Sequence, residues 1–410
     1  MSGLVTLAIG SGAGPGCAPS KVTRLYVATD ATRVTPRLFH SLRVEVLRNG
    51  APCGDCTREF PVDDATWPGG IGSFDIEGDG HALVRLELVR IRGSAQKRPA
   101  ATVEARATLD LDGAAHVAYL PMAKTGHPFD LRADALEGTP SPLPLSLPSP
   151  KSACADASRE GEVCIPGGHF WMGDPLMDIT GLGDAVDGTL ERIVTIDAFH
   201  IDRTEVTVGA LRKTGLATAS DPVTSKKAGC TFPPTANDAT ADALPVNCMT
   251  VSLAEAFCKA RGAELPTEAE FEYVAGALRS ESFVWGDARI SCGDAVVGFA
   301  ACPLDAPRPV GSAPKDALTL APGRAVFDIV GNVHEFMQDT WNPENGPCWG
   351  IGAFHNPVCK QQDARFPNAR VVRGGAFADL PVYASAALRE FVDDPQNRVG
   401  TSVGFRCRRR

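Results

Sequence analysis

Between Lys21 and Ala135 apolar and polar residues alternate, as in Leu42, Val44 and Val46, then Val84, Leu86 and Leu88, then Val103, Ala105, Ala107, Leu109 and Leu111. A period of two turns one side of a segment to a core and the other to water, which predicts β-strands. Asn49-Gly50 and Asp112-Gly113 are residue pairs that tolerate the positive φ of tight hairpin turns. Residues 21–135 therefore read as a small antiparallel β-sandwich, a binding or spacer module with Cys53 and Cys56 in its first turn. Prolines at positions 140, 142, 144, 148 and 150 then interrupt any helix or sheet, so 136–153 reads as an extended linker.

Beyond the linker the period changes. In Val251 to Gly262, Leu253, Ala256, Phe257 and Ala260 line one helical face, with Ser252 placed to cap, Glu255 to reach back and Gly262 to stop the helix. Thr267 and Glu270 form a second capping box before Phe271. The remainder is rich in Gly and Pro, so 154–410 reads as an α+β domain with two helices, short strands and many loops.

Composition narrows the setting. The chain has 410 residues, 44% of them hydrophobic, enough for more than one core. A formal net charge of -9 argues against a nucleic-acid partner, and no apolar stretch reaches the ~18 residues of a membrane-spanning helix. Thirteen cysteines, several close in sequence, favour an oxidising compartment outside the cytoplasm, a bacterial periplasm or cell surface. Cys53-Gly-Asp-Cys56 has zinc-like spacing but no second ligand pair, so a disulfide is the better reading. Residues 1–20 resemble the tail of a lipoprotein signal, an apolar Leu4 to Ile9 followed by glycines and Cys17, which would carry a lipid anchor; the other reading is an ordinary N-terminus.

Three catalytic patterns fail on context. Gly400-Thr-Ser-Val-Gly404 mimics a nucleophile elbow, but too little chain follows for a helix and its catalytic partners. His334-Glu335 begins a zinc-protease motif whose second histidine is Gln338. Gly10, Gly12, Gly14 and Gly16 precede no helix that could hold a phosphate.

An ordered series of short blocks carries more. It comprises Pro166-Gly-Gly-His-Phe-Trp-Met-Gly173, Ile201-Asp-Arg-Thr-Glu-Val-Thr207, Pro245-Val-Asn247 and Leu265-Pro-Thr-Glu-Ala-Glu-Phe-Glu272. It continues with Asp328-Ile-Val-Gly-Asn-Val-His-Glu-Phe336, Arg370-Val-Val-Arg-Gly-Gly375, Arg389 and Gly404-Phe-Arg-Cys407. From Val163 to Cys407 this order resembles the formylglycine-generating enzyme (sulfatase-modifying factor) family, whose domain has a C-type-lectin-like fold.

The resemblance implies a calcium cradle at Asp328, Gly331, Val333 and Glu335, side-chain oxygens at the ends and backbone carbonyls between. The alternative is a loop in which Asp328 caps its own backbone. The family's enzymes oxidise a sulfatase cysteine with copper held by two cysteines. Those positions map to Asp379 and Ala384, the serine after the glycines to Ala376, and a tryptophan of the cation loop to His334. A carboxylate and a methyl group cannot hold Cu(I), so no copper is expected. The family also implies a Cys258–Cys407 bridge, after which the cysteines other than Cys17 divide as 53/56, 154/164, 230/248, 292/302 and 348/359, one pairing among many.

The sequence thus leaves two readings and no settled enzyme assignment. One is a non-catalytic, calcium-stabilised module that binds a peptide, protein or glycan. The other is a non-haem-iron-type oxidoreductase with a site at His334, His355 and Asp379.

Overall fold

The computed structural model describes residues 5–7, 21–29, 39–62, 67, 71–91, 99–120, 129–138, 150–174 and most of 177–410, other than 178, 180–181, 183–185, 191, 218–228, 233–238, 287, 300–301, 350–352 and 397–399. The chain divides into two compact units, Met1–Pro148 and Ser149–Arg410. Cys17 and most of the linker lie outside the described residues.

The first unit contains two five-stranded sheets. One orders Val5–Leu7, Ile71–Glu77, Val22–Thr29, Ala115–Leu120 and Asp134–Ala135; the other orders Ala51–Pro61, Ser41–Arg48, Gly80–Ile91, Pro99–Leu111 and Phe129–Arg132. The alternating residues Leu42, Val44, Val46, Val84, Leu86, Leu88, Ala105, Ala107 and Leu109 are buried, as their period requires. Three details differ from the sequence reading. Both sheets are mixed, because Val22–Thr29 runs parallel to Ala115–Leu120 and Pro99–Leu111 parallel to Phe129–Arg132. Asn49-Gly50 does close a hairpin, with φ of 52° and 78°, but Asp112-Gly113 carries the chain from one sheet to the other. Cys53 and Cys56 lie inside the strand Ala51–Pro61 rather than in a turn. Cys56 is disulfide-bonded, whereas the side chain of Cys53 lies outside the described residues. Val5–Leu7, within the signal-like stretch, pairs in parallel with Phe74–Ile76.

The second unit is loop-rich α+β, built around a four-stranded sheet ordered Glu390–Val392, Arg370–Arg373, His334–Thr340 and Val403–Gly404. Among its described residues there are three α-helices: α1 (Val208–Thr214), α2 (Val251–Ala260) and α3 (Glu268–Ala275). The α3 capping box forms as its sequence predicts, with Thr267 and Glu270 exchanging side-chain and backbone bonds. The α2 cap is Thr250, whose hydroxyl accepts the Leu253 N–H at 3.2 Å, so Ser252 falls inside the first turn. The sequence reading omitted α1, capped by Thr207 and ended by Gly215 at φ 66°.

The sheet separates two cores. Phe336, Val372 and Val403 pack with Val208, Leu211, Phe257 and Cys258 from α1 and α2. Met337 and Val371, one residue along, pack with Phe271 and Val274 of α3. Five disulfides tie the loops, joining Cys154 to Cys164, Cys230 to Cys248, Cys258 to Cys407, Cys292 to Cys302 and Cys348 to Cys359.

Candidate functional site

His334 and Glu335 open the strand His334–Thr340, and strand geometry sends neighbouring side chains to opposite faces. Phe336 is opposite Val372, and Val372 opposite Glu390, so Glu390 shares the face of Phe336 and His334. The third member arrives through a tight turn after Arg370–Arg373. Gly374 and Gly375 have φ of 96° and 72°, and a Cβ there would lie 2.9 Å from the Ile329 carbonyl oxygen or 2.8 Å from that of Tyr383. Only glycine fits both the conformation and the approach. The following loop is fixed when Phe377 N–H donates to the Asn332 carbonyl at 2.9 Å and Ala376 N–H donates to Asp379 Oδ2 at 2.7 Å.

The result is a compact cluster. His334 Nε2 lies 2.6 Å from Asp379 Oδ2 and 3.4 Å from Glu390 Oε2, and the three atoms all fall within 4.8 Å of one another. The His334 side chain is 9% exposed, against 26% for Asp379 and 21% for Glu390, so the imidazole forms the floor and the carboxylates the rim. Burial would lower the His334 pKa, but the Asp379 hydrogen bond and the two negative charges outweigh it and raise the pKa. Burial, and to a smaller extent Asp379, raises Glu390. Tyr383 is raised by desolvation and by the charges of Glu390 and Asp379, which places its hydroxyl in the same field. Neither His334 Nδ1 nor Glu390 Oε2, both buried, has a hydrogen-bond partner.

The opposite face carries a second polar centre. Arg406 Nε donates to both Glu335 oxygens at 2.9 and 2.8 Å, and its Nη2 donates to Glu335 Oε1 at 2.7 Å and to the Asp328 carbonyl at 2.5 Å. Asp328 Oδ2 accepts the Gly311 N–H. Its Oδ1 and both oxygens of Glu205 meet no donor, although the Glu205 and Asp328 carboxyls touch. Glu205 is 1% exposed, and burial followed by the Asp328 charge pushes its pKa well above the usual carboxylate range. Gly331, at φ 107°, turns the intervening loop, where a Cβ would lie 2.8 Å from the Val296 carbonyl oxygen.

Residues 148–410 match the sulfatase-modifying factor enzyme 1-like domain. The chain belongs to this family. A formylglycine-generating enzyme of Streptomyces coelicolor is 28% identical over 318 residues, 65% of this chain and 95% of that one. The mouse (Mus musculus) formylglycine-generating enzyme is 29% identical over 167 residues, 38% and 41% of the two chains. Among solved structures, PvdO from Pseudomonas aeruginosa is 23% identical, with 64% of this chain and 99% of that chain covered and a TM-score of 0.46.

As a sulfatase-modifying-factor-family member the chain has an unusual centre. Asp379 and Ala384 stand where the resemblance puts the copper-binding cysteines, and every cysteine from Cys154 to Cys407 is in a disulfide. The sequence reading anticipated His334 with Asp379 but joined them to His355, which instead hydrogen-bonds Asp197 at 3.1 Å on another strand. Glu390 takes that place; it sits beside Arg389 in a three-residue strand, and no motif marks it. Asp328, Gly331, Val333 and Glu335 do share one loop and strand end. Their donors are oxygens only, the type a hard cation takes, although Arg406 already holds both Glu335 oxygens and its charge acts on Asp328 and Glu205; the orphaned oxygens of Asp328 and Glu205 are the ones left for a cation. Glu205 was missed because nothing in Thr204-Glu-Val206 reveals that its side chain turns inward. A third grouping, Cys154, Cys164 and His200, offers no thiolate, since its sulfurs are bonded to each other.

Proposed function

We propose that this protein is an extracytoplasmic binding module of lectin-like fold that does not generate formylglycine, presented on an N-terminal β-sandwich and a proline-rich stalk. A calcium ion at Glu205, Asp328, Glu335 and the Gly331 and Val333 carbonyls stabilises the module, and its ligand is a peptide, protein or glycan. One observation carries the reading: the family domain has no free thiol among its described residues, with Asp379 and Ala384 at the copper positions. A thiolate is the soft ligand that copper(I) chemistry on a substrate cysteine requires. The disulfides agree with an oxidising compartment, and no described helix is long and apolar enough to cross a membrane. Lipid anchoring through Cys17 belongs to the same proposal.

The test is a Cys-x-Pro-x-Arg peptide incubated aerobically with the protein and copper, its mass followed over time. No change is expected. Loss of the thiol with gain of an aldehyde would overturn the reading. A second reading, a metal-dependent oxidoreductase of the non-haem iron type, is favoured by the convergence of His334, Asp379 and Glu390.

A further inference from the structure

The cluster on the His334 face has the makings of a site whether or not the module catalyses a reaction. Its three donors come from three separate segments, the strand His334–Thr340, the loop holding Asp379 and the strand Glu390–Val392, so neither local sequence nor helix geometry forces them together. A buried histidine facing two carboxylates, with polar atoms of its own group left unsatisfied, is costly to maintain as a purely structural feature.

We infer that His334 Nε2, Asp379 Oδ2 and Glu390 Oε2 form a mononuclear binding site for a divalent transition-metal ion, zinc, manganese or ferrous iron. The geometry is close to what such an ion needs. Bonds of about 2.0–2.1 Å in a tetrahedral arrangement place donor atoms roughly 3.4 Å apart. The imidazole nitrogen is already 3.4 Å from Glu390 Oε2, and the 2.6 Å gap to Asp379 Oδ2 must open. The shift is roughly 0.8 Å, within reach of a carboxylate rotation on a part-exposed side chain. The ion displaces the proton held between Nε2 and Oδ2, so one proton leaves as the metal enters.

The donor set selects the class of ion. Imidazole nitrogen suits zinc, iron and manganese better than calcium or magnesium, and the lack of thiolate disfavours copper(I). Three protein ligands leave at least one position open. Asp379 and Glu390 are part-exposed, which gives water or a ligand oxygen access to the group, and their charges act on the Tyr383 hydroxyl. Ala376 N–H donates to the same Asp379 Oδ2, the kind of hydrogen bond that orients a ligating carboxylate.

The experiment uses the full chain stripped with chelator, then titrated with Zn2+ by calorimetry and with Co2+ by visible absorption, with calcium present throughout to keep the opposite centre filled. One equivalent should bind, and Co2+ should give the d–d bands of a low-coordinate nitrogen–oxygen site. H334Q and D379N should each weaken binding by 100-fold or more, and E390Q by 10-fold or more, while H355Q, at a histidine that bonds Asp197 on another strand, should leave it unchanged. Circular dichroism and melting of E390Q, the mildest change, separate lost binding from lost fold. Absence of stoichiometric Zn2+ or Co2+ binding in the folded protein would overturn the inference. Binding that H334Q, D379N and E390Q leave intact would do the same. Neither result depends on the formylglycine assay, so the site and the binding-module reading fail separately.

Discussion

Arg389 and Glu268, 121 residues apart, form a two-point ion pair in the interior, with Arg389 Nε and Nη2 donating to the carboxylate at 2.6 and 2.9 Å. The two side chains are 1% and 0% exposed. Arg389 also reaches Asp187 at 2.7 Å and the Asn342 carbonyl at 3.0 Å, and its guanidinium lies 5.0 Å from the ring centre of Trp341. One cation thus fixes the start of α3 against the loop after Thr340. Removing it leaves the buried Glu268 and the part-buried Asp187 without their ion-pair partner, which costs about 3–5 kcal/mol. Arg389→Met should lower unfolding free energy by that amount in urea titrations, and a loss below about 1 kcal/mol would show the pair to be dispensable.

The long-range disulfide gives a second test. Cys258 on α2 and Cys407 near the C-terminus close a loop with a sequence separation of 149, whereas Cys154–Cys164 spans 10. In the chain-entropy account the first should stabilise by about 5 kcal/mol and the second by about 3 kcal/mol. The double variant Cys258→Ala/Cys407→Ala should therefore melt well below Cys154→Ala/Cys164→Ala. Equal melting temperatures would mean that native contacts, not loop closure, set the contribution.

Elements with local signals were legible and those assembled by long-range pairing were not. The α3 capping box and the buried alternation of Val84, Leu86 and Leu88 follow from neighbouring residues alone. Strand direction does not. Leu109 and Val117 lie on either side of Asp112-Gly113, and the same alternation serves a hairpin or a crossing between sheets. At the site, His334 and Asp379 were visible because they stand at positions where relatives carry other residues. Glu390 was hidden because its place depends on the register of Val372 across the sheet. Glu205 was hidden for a similar reason, since burial of an acid is decided by the loop that covers it.

Acid should weaken the fold through His169. This imidazole is 2% exposed, bonds the Thr195 hydroxyl oxygen at 2.8 Å, and has its pKa lowered from 6.5 to about 4 by burial and, less, by the His355 charge. A depressed histidine is neutral in the folded state while the unfolded chain takes up a proton. Stability is therefore full above pH 6.5 and falls as pH drops toward 4. The swing is on the order of 3 kcal/mol for a shift of this size. His169→Gln should flatten the stability profile between pH 6.5 and 4 relative to wild type. An identical slope in both proteins would assign the acid sensitivity to other groups.

The calcium proposal predicts a change of sign at Glu205. Without the ion, Glu205 and Asp328 face each other with three orphaned oxygens, and burial and the Asp328 charge outweigh the attraction of Arg406, so the ionised Glu205 is a burden on the folded state. Glu205→Gln removes that charge and supplies an amide N–H to Asp328, so in chelator the variant should melt higher than wild type. With calcium the order should reverse. A ligand that binds only the folded protein adds about 2.7 kcal/mol at a concentration 100-fold above its dissociation constant, and the variant forgoes most of this. Glu335→Ala is a poorer probe, since it also strands the buried Arg406 guanidinium and lowers stability in both conditions. Melting curves of wild type and Glu205→Gln, each with chelator and with excess calcium, decide the matter. If calcium raises neither melting temperature, the two acids share a proton instead of an ion, and the stabilising effect of Glu205→Gln should persist at every calcium concentration.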